Sequence, residues 1–133
     1  MDAGPLIALF DRDDRHHSRA VEFVRGNSSR LVSNLPVLTE ATFVLRFSVD
    51  AQRDLLWWAQ QALDLDHRTG ADLPRIIALL HQYRDLPAAF ADVSLIALAE
   101  RLNLKRIASF DRDFFIYRLS GKRRFENVLS QRA

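Results

Sequence analysis

Residues 90–111, FADVSLIALAERLNLKRIASFD, decide the fold class of this 133-residue chain. The segment from Phe90 to Leu102 is apolar on most of its faces, which predicts a deeply buried helix. Asn103 is a suitable residue for the end of that helix. Residues 106–110 then show the short apolar pattern of a buried strand, which ends at Asp111. A buried helix followed directly by a strand indicates an α/β fold.

The same alternation of short strands and longer helices extends along the rest of the chain. The predicted strands are 30–33, 62–65, 106–110 and 125–129. The predicted helices are 17–25, 37–47, 52–63, 72–83 with Asp72 as N-cap, and 90–102. This order predicts a mostly parallel sheet. Because no linker, repeat or low-complexity segment interrupts it, we expect one domain over residues 1–133.

The composition sets limits on the class of protein. Hydrophobic residues make up 48% of the chain, enough for a real core, and cysteine is absent. A disulfide scaffold, a cysteine zinc site and a cysteine nucleophile are therefore excluded. No apolar run approaches the roughly 20 residues that span a bilayer. We expect a cytoplasmic protein with no membrane contact.

Four acidic residues lie where a parallel sheet would gather them. In open parallel sheets, ligands bind beyond the carboxyl ends of the strands. Asp111 closes a strand, and Asp92 lies in the first turn of the buried helix. Glu40 lies in the first turns of the helix after the strand at 30–33, and Asp2 directly precedes an apolar run. We expect these four carboxylates to converge.

Converging carboxylates with apolar neighbours are costly unless cations neutralise them. Hard divalent ions that prefer oxygen ligands, Mg²⁺ or Mn²⁺, suit such a cluster. The arrangement fits hydrolysis of phosphodiester bonds, since a metal lowers the pKa of bound water and stabilises charge on the leaving oxygen. No Cys, Ser or His nucleophile is needed for this chemistry.

Each acid also has a structural alternative when it is taken alone. Asp92 is the kind of residue that favours a helix N-terminus, and Glu40 could pair with Arg46. Asp111 could be a turn residue, and Asp2 could belong to a mobile terminus. The joint occurrence of all four favours the functional interpretation.

Four stretches of the chain carry a family resemblance. They are 2–10 (DAGPLIALF), 36–40 (PVLTE), 85–102 and 106–114. These stretches resemble PIN-domain proteins, in particular the small VapC toxins of bacterial toxin–antitoxin pairs. The resemblance implies a three-layer α/β/α sandwich and endoribonuclease activity that depends on Mg²⁺ or Mn²⁺. It also implies a homodimer and inhibition by a small antitoxin protein.

The resemblance further implies roles for individual residues. It makes metal ligands of the four acids already named, Asp2, Glu40, Asp92 and Asp111. Ser109 stands where the family often has a hydroxyl residue, which implies a supporting role near the metal or the phosphate. Asp113 is a weaker candidate, and His17 is assigned a structural role.

One departure from the family concerns the first strand. Family members carry a few apolar strand residues before the first aspartate, whereas only Met1 precedes Asp2 here. We therefore expect either a chain that begins earlier or a first strand that is nearly missing.

Alternatives to a toxin nuclease stay open. An RNA-processing nuclease and a catalytically silent RNA- or protein-binding module fit the same fold. Asp11-Arg12-Asp13 superficially suggests an aspartyl phosphatase, but it follows a helix-like run rather than a strand. The acidic clusters at 11–14 and 64–66 instead predict solvated loops.

Two further features have both a structural and a functional interpretation. Trp57 and Trp58 either pack in the core or form a dimer or antitoxin surface. The basic residues of 118–124 either contact RNA phosphates or belong to a solvated loop; they are Arg118, Lys122, Arg123 and Arg124.

Overall fold

A computed structural model of the chain describes residues 1–86 and 88–129. Its helices are α1 (Ala3–Phe10), α2 (His17–Gly26), α3 (Leu35–Val44), α4 (Val49–Ala62), α5 (Leu73–Gln82) and α6 (Phe90–Leu102). Its strands are β1 (Leu31–Asn34), β2 (Leu63–Asp66), β3 (Arg106–Ile107) and β4 (Glu126–Asn127). Short 3₁₀ turns occupy Leu45–Phe47, Thr69–Asp72, Arg112–Phe115 and Ser120–Lys122.

Helix α6 has the bounds that the sequence predicts. All residues from 91 to 99 are buried, as expected for a helix without a polar face. Asn103 ends the helix in the left-handed conformation, with φ 55°, and its backbone N–H donates to carbonyls of the last turn. Asparagine tolerates this conformation better than most residues, so a local signal fixes the end of α6.

Helices α3 and α4 begin earlier than predicted because polar side chains cap them. The Asn34 side chain accepts a hydrogen bond from the N–H of Val37, which starts α3 at Leu35. The Ser48 side chain accepts from the N–H of Ala51, which starts α4 at Val49. Helix α3 was predicted to end at Phe47. It ends at Val44, and Phe47 is the last residue of the 3₁₀ turn that follows.

The strands pair in parallel, as predicted, and helices cover both faces of the strand layer in an α/β/α arrangement. Strand β1 pairs with β2 from Leu31–Leu63 to Asn34–Asp66, and β3 pairs with β4. Within residues 1–86 and 88–129 these are two separate two-stranded sheets rather than one. Strand β3 is shorter than the predicted 106–110, because the Ser109 N–H donates to the side chain of Asn127 instead of a backbone carbonyl.

Met1 and Asp2 lie between the two strand pairs. The Met1 amino group donates to the carbonyl of Val32 at 2.6 Å, and the Asp2 N–H donates to the carbonyl of Ala108 at 2.9 Å. The Ser33 hydroxyl also donates to the Met1 carbonyl, at 2.8 Å. These two residues therefore connect β1 to the segment that follows β3.

One prediction for acidic residues of the second strand region is wrong. Asp64 and Asp66 belong to β2, in keeping with the predicted strand 62–65, and not to a solvated loop. Asp66 and Asp72 both accept hydrogen bonds from the guanidinium of Arg101, at 2.6 to 3.1 Å. Asp72 stands at the N-cap position of α5, but its side chain makes no capping hydrogen bond because Arg101 binds it.

The two tryptophans have different surroundings. Trp58 packs against Phe10 of α1, with ring centroids 5.9 Å apart, as the core interpretation predicts. Trp57 is 67% exposed, and α3 and α4 also carry other exposed apolar side chains. Among the helices that the structure describes, none is long and apolar enough to cross a membrane.

Candidate metal centre

Three of the four predicted acids meet at one place. Oxygen atoms of Asp2, Asp92 and Asp111 all lie within 4.8 Å of one another. Asp2 immediately precedes α1, Asp92 lies in the first turn of α6, and Asp111 follows β3 as the residue that caps a 3₁₀ turn. Helix starts and strand ends from distant parts of the chain therefore place these carboxylates together.

The cluster carries negative charge that the surrounding protein does not balance. Asp2 is 4% exposed and Asp92 is 8% exposed, and neither forms a salt bridge within the described part of the chain. Burial first, and then the nearby charge of Asp2, raise the pKa of Asp92 to about 7. Burial also raises the pKa of Asp2, against the lowering effect of a hydrogen bond from Ser109.

Ser109 connects two of the three carboxylates. Its hydroxyl donates to Oδ2 of Asp2 at 2.7 Å and accepts from the backbone N–H of Asp111 at 2.9 Å. The serine is 1% exposed, so these bonds are shielded from water. One hydroxyl thus orients Asp2 and the loop that carries Asp111.

Glu40 lies outside the group of three. Its pKa is raised, first by partial burial and then by the charges of Asp2 and Asp111, so its carboxylate faces the same negative field. The alternative partner Arg46 lies over the ring of Phe43, 3.9 Å from the centroid, and donates to the Phe43 carbonyl. Glu40 has no salt bridge among the described residues.

The donor set fits a hard divalent cation. All the clustered ligand atoms are carboxylate oxygens, which Mg²⁺ and Mn²⁺ prefer. The buried Oδ1 of Asp2 has no hydrogen-bond partner within the described residues. A buried carboxylate oxygen without a partner is costly, and a bound cation would offset that cost.

Comparisons with known proteins identify the family. A family model of the PIN domain matches residues 1–120. The chain belongs to the PIN domain family. It is similar to ribonuclease VapC26 of Mycobacterium tuberculosis, with 26% identity over 118 residues that cover 86% of this chain and 87% of that protein.

A solved structure agrees with this PIN fold. The chain resembles the crystal structure of Mycobacterium tuberculosis VapC20, described as a sarcin–ricin loop cleaving toxin, with a TM-score of 0.73 and 17% identity. The match covers 84% of this chain and 88% of that chain. The predicted family and the predicted α/β fold class are therefore confirmed.

Two asparagines support this PIN site, and the sequence interpretation missed both. Buried Asn34 caps α3 and also donates to the Ser94 hydroxyl of α6 at 3.0 Å. The Asn127 side chain binds both the N–H and the carbonyl of Ser109. A polar residue directly before Leu35-Pro36 was a usable capping signal for Asn34, whereas the contact of Asn127 has no local signature.

Tyr117 is a further buried polar residue that sequence reasoning missed. It is fully buried, with its ring packed edge-on against Phe114 and Tyr83. Its hydroxyl has no hydrogen-bond partner in the described part of the chain. Burial raises its pKa, and the charge of Asp92 raises it further, so the phenol stays protonated.

The secondary candidates have local contacts. Asp113 lies outside the cluster of three, and its backbone N–H donates to Oδ1 of Asp111 at 2.9 Å. The His17 ring lies 2.7 Å from the Ala8 carbonyl in the last turns of α1, in keeping with a structural role. In the basic stretch, Arg118 donates to carbonyls of the preceding residues, and Lys122, Arg123 and Arg124 are exposed.

Proposed function

We propose that this PIN domain is an endoribonuclease of the VapC type that hydrolyses RNA phosphodiester bonds with Mg²⁺ or Mn²⁺. The observation that carries the proposal is the cluster of Asp2, Asp92 and Asp111, with one buried carboxylate oxygen that has no partner among the described residues. The similarity to a protein named as a ribonuclease supports the substrate class.

Each residue then has a defined task. The cation would be held by Asp2, Asp92 and Asp111. Glu40 would add a fourth carboxylate from α3. Ser109 keeps Asp2 oriented through its hydrogen bond to Oδ2. A divalent cation held by these residues would supply neutralisation of phosphate charge and a lower pKa for an attacking water.

The biological setting is part of the same proposal. We propose that the chain acts in the cytoplasm as the toxin of a toxin–antitoxin pair, forms a homodimer and is inhibited by a small antitoxin. The exposed apolar residues of α3 and α4, Trp57 among them, support this part of the proposal, because exposed apolar surface marks interaction sites. We also propose that residues 1–133 form one domain.

The test combines metal binding with RNA cleavage. The purified chain is titrated with Mn²⁺ by calorimetry and incubated with a mixed RNA substrate in Mg²⁺, in Mn²⁺ and in a chelator. The matched variants are Asp92→Asn, within the cluster, and Asp54→Asn, on the exposed part of α4. We expect Asp92→Asn to weaken Mn²⁺ binding and to reduce cleavage by about 100-fold or more, since even indirect support of a metal ligand is worth 10–100-fold.

The outcomes separate the possible functions. Metal-dependent cleavage that survives in Asp54→Asn and is lost in Asp92→Asn supports the proposal. Mn²⁺ binding without cleavage of any RNA favours the silent binding module. Cleavage that persists in the chelator and in Asp92→Asn contradicts the assigned site.

A further inference from the structure

A pair of stacked rings lies directly beside the acidic cluster. The His16 ring stacks on the Phe110 ring, with centroids 4.2 Å apart and ring planes inclined by 15°. Phe110 stands between Ser109, whose hydroxyl binds Asp2, and Asp111, which is a member of the cluster. The ring pair is therefore one residue away from a clustered carboxylate.

Contacts with two helices hold Phe110 in this position. Its side chain packs at the start of α1, where a Cβ atom on Gly4 would lie 3.8 Å from it. The guanidinium of Arg19 on α2 lies over the Phe110 ring, 5.1 Å from the centroid, and donates to the Leu129 carbonyl. Because a cation over a ring face is attracted to it, Arg19 stabilises this placement of Phe110.

The His16 ring is held at its edge. The Nε of Arg15 donates a hydrogen bond to Nε2 of His16 at 3.1 Å, so Nε2 is an acceptor and the imidazole is neutral. Burial, and then the charge of Arg15, lower the pKa of His16, in agreement with a neutral ring. The backbone N–H of His16 donates to Oδ1 of Asp14 at 2.8 Å, which orders the same turn.

Part of the ring pair is accessible from solvent. His16 and Phe110 are both partly exposed, and the hydrogen bond between Arg15 and His16 lies at the surface. Within the described part of the chain, Phe110 is the one aromatic side chain that pairs with His16. The pair is therefore an ordered aromatic surface at the border of the acidic cluster.

An ordered aromatic surface of this kind suits an RNA base. Unpaired bases stack on aromatic side chains, histidine among them, whereas the bases of a helix are already stacked on each other. The turn 11–15 contains three aspartates and two arginines, so it offers no net positive charge for a phosphate. The ring pair therefore favours a base over a phosphate at this position.

We propose that His16, supported by Phe110, is the platform on which an unpaired RNA base stacks beside the scissile phosphate. The inference rests on the proposed ribonuclease function, because a phosphate at the cluster of Asp2, Asp92 and Asp111 brings a flanking base to the rings. His16 contributes to substrate binding in this role and takes no part in bond cleavage.

The test measures base binding separately from cleavage. Fluorescence anisotropy gives the affinity of the chain for two labelled probes, a single-stranded oligouridylate and an abasic ribose–phosphate oligomer of equal length. The buffer contains Ca²⁺, which also takes oxygen ligands, and gel electrophoresis verifies that the probe is intact. The variants are His16→Ala and His16→Phe, which keeps an aromatic ring. The control is His67→Ala, at an exposed position beside Asp66.

We expect the unsubstituted chain to bind oligouridylate more tightly than the abasic probe. His16→Ala should weaken oligouridylate binding about 5-fold or more, the effect of losing one base–aromatic stack, and should leave binding of the abasic probe unchanged. His16→Phe should restore most of the affinity. In Mg²⁺, His16→Ala should raise KM for RNA cleavage with kcat unchanged, as for a residue that contributes only binding. Calorimetry with Mn²⁺ should give the same affinity for both chains.

The outcomes distinguish this inference from the proposed function. A preference for the base-containing probe that requires His16, in a chain that cleaves no RNA, supports the platform and contradicts the ribonuclease. RNA cleavage together with equal oligouridylate affinity of His16→Ala and the unsubstituted chain overturns the platform and keeps the ribonuclease. An equal loss of affinity for both probes in His16→Ala also overturns the platform, because stacking requires the base.

Discussion

The two ends of helix α6 hold carboxylates in opposite electrostatic settings. At the N-terminal end, Asp92 lies with Asp2 and Asp111 and none of these three acids forms a salt bridge among the described residues. At the C-terminal end, Arg101 binds two aspartates, Asp66 and Asp72, through four hydrogen bonds. The difference separates carboxylates that stabilise the fold from carboxylates that leave charge available for a cation.

The pKa values shift in opposite directions at these two ends. The hydrogen bonds from Arg101 lower the pKa of Asp66 despite its partial burial. Burial and the charge of Asp2 raise the pKa of Asp92 to about 7. The surroundings of an aspartate therefore favour its charged form at the C-terminal end of α6 and its neutral form at the N-terminal end.

The largest effect on stability is expected from Arg101→Ala. The substitution leaves Asp66 and Asp72, whose side chains are 10% and 11% exposed, without their partner. We expect the free energy of unfolding to fall by about 3 kcal/mol, as when one member of a buried ion pair is removed. Urea unfolding measures this change, and a triple variant with Asp66→Asn and Asp72→Asn should regain part of it. A loss below about 1 kcal/mol would show that the pair behaves as a surface salt bridge.

Asp92→Asn is expected to increase the free energy of unfolding when a chelator removes divalent cations. Because the folded-state pKa of Asp92 is raised, its stabilising contribution is present at low pH and is lost as pH rises from about 4 to about 7. We expect the variant to exceed the native chain by about 1–2 kcal/mol at pH 7.5 and by little at pH 4.5. Urea unfolding at the two pH values tests this, with Asp54→Asn as control. A constant difference between native and variant protein would contradict the raised pKa.

A smaller effect is expected for Ser109→Ala. The change removes the hydroxyl that bonds both Asp2 and the N–H of Asp111, so the two carboxylates lose their common support. We expect about a 10-fold loss of Mn²⁺ affinity in the proposed site, in the range known for residues that orient metal ligands. Calorimetry measures the affinity, and Ser120→Ala, at an exposed position, is the control. Unchanged affinity would limit Ser109 to a structural role.

The smallest effect is expected for Arg75→Ala. Arg75 binds Glu100 with two hydrogen bonds, but its side chain is 43% exposed, compared with 19% for Arg101. Water competes for the exposed guanidinium of Arg75, although the side chain of Glu100 is 11% exposed, so we expect a loss of about 1 kcal/mol by urea unfolding. A loss equal to that of Arg101→Ala would mean that exposure does not explain the contrast between the two arginines.

The features predicted correctly from the sequence are those that depend on local residue patterns. Helix α6 was predicted at its bounds because its apolar surface and the stop at Asn103 are local features. Three of the four predicted acids converge because strand ends and helix starts meet at one edge in a parallel fold. Metal coordination by these residues, and by Glu40, stays a prediction.

The missed features depend on contacts between distant parts of the chain. Arg101 binds aspartates 29 and 35 residues away, so the local sequence gave no sign of this partner for Asp66. Asn127 reaches Ser109 across 18 residues and shortens β3. The division into two two-stranded sheets was not predicted either, because strand pairing depends on contacts between distant parts of the chain.

The bond from Asn34 to Ser94 has a mechanical consequence. Asn34 holds the first turn of α3, which carries Glu40, while Ser94 stands two residues after Asp92 on α6. The hydrogen bond between these two buried side chains thus joins the start of α3 to the start of α6. A displacement of α3 would therefore be passed to α6 through this hydrogen bond, and with it from Glu40 to Asp92.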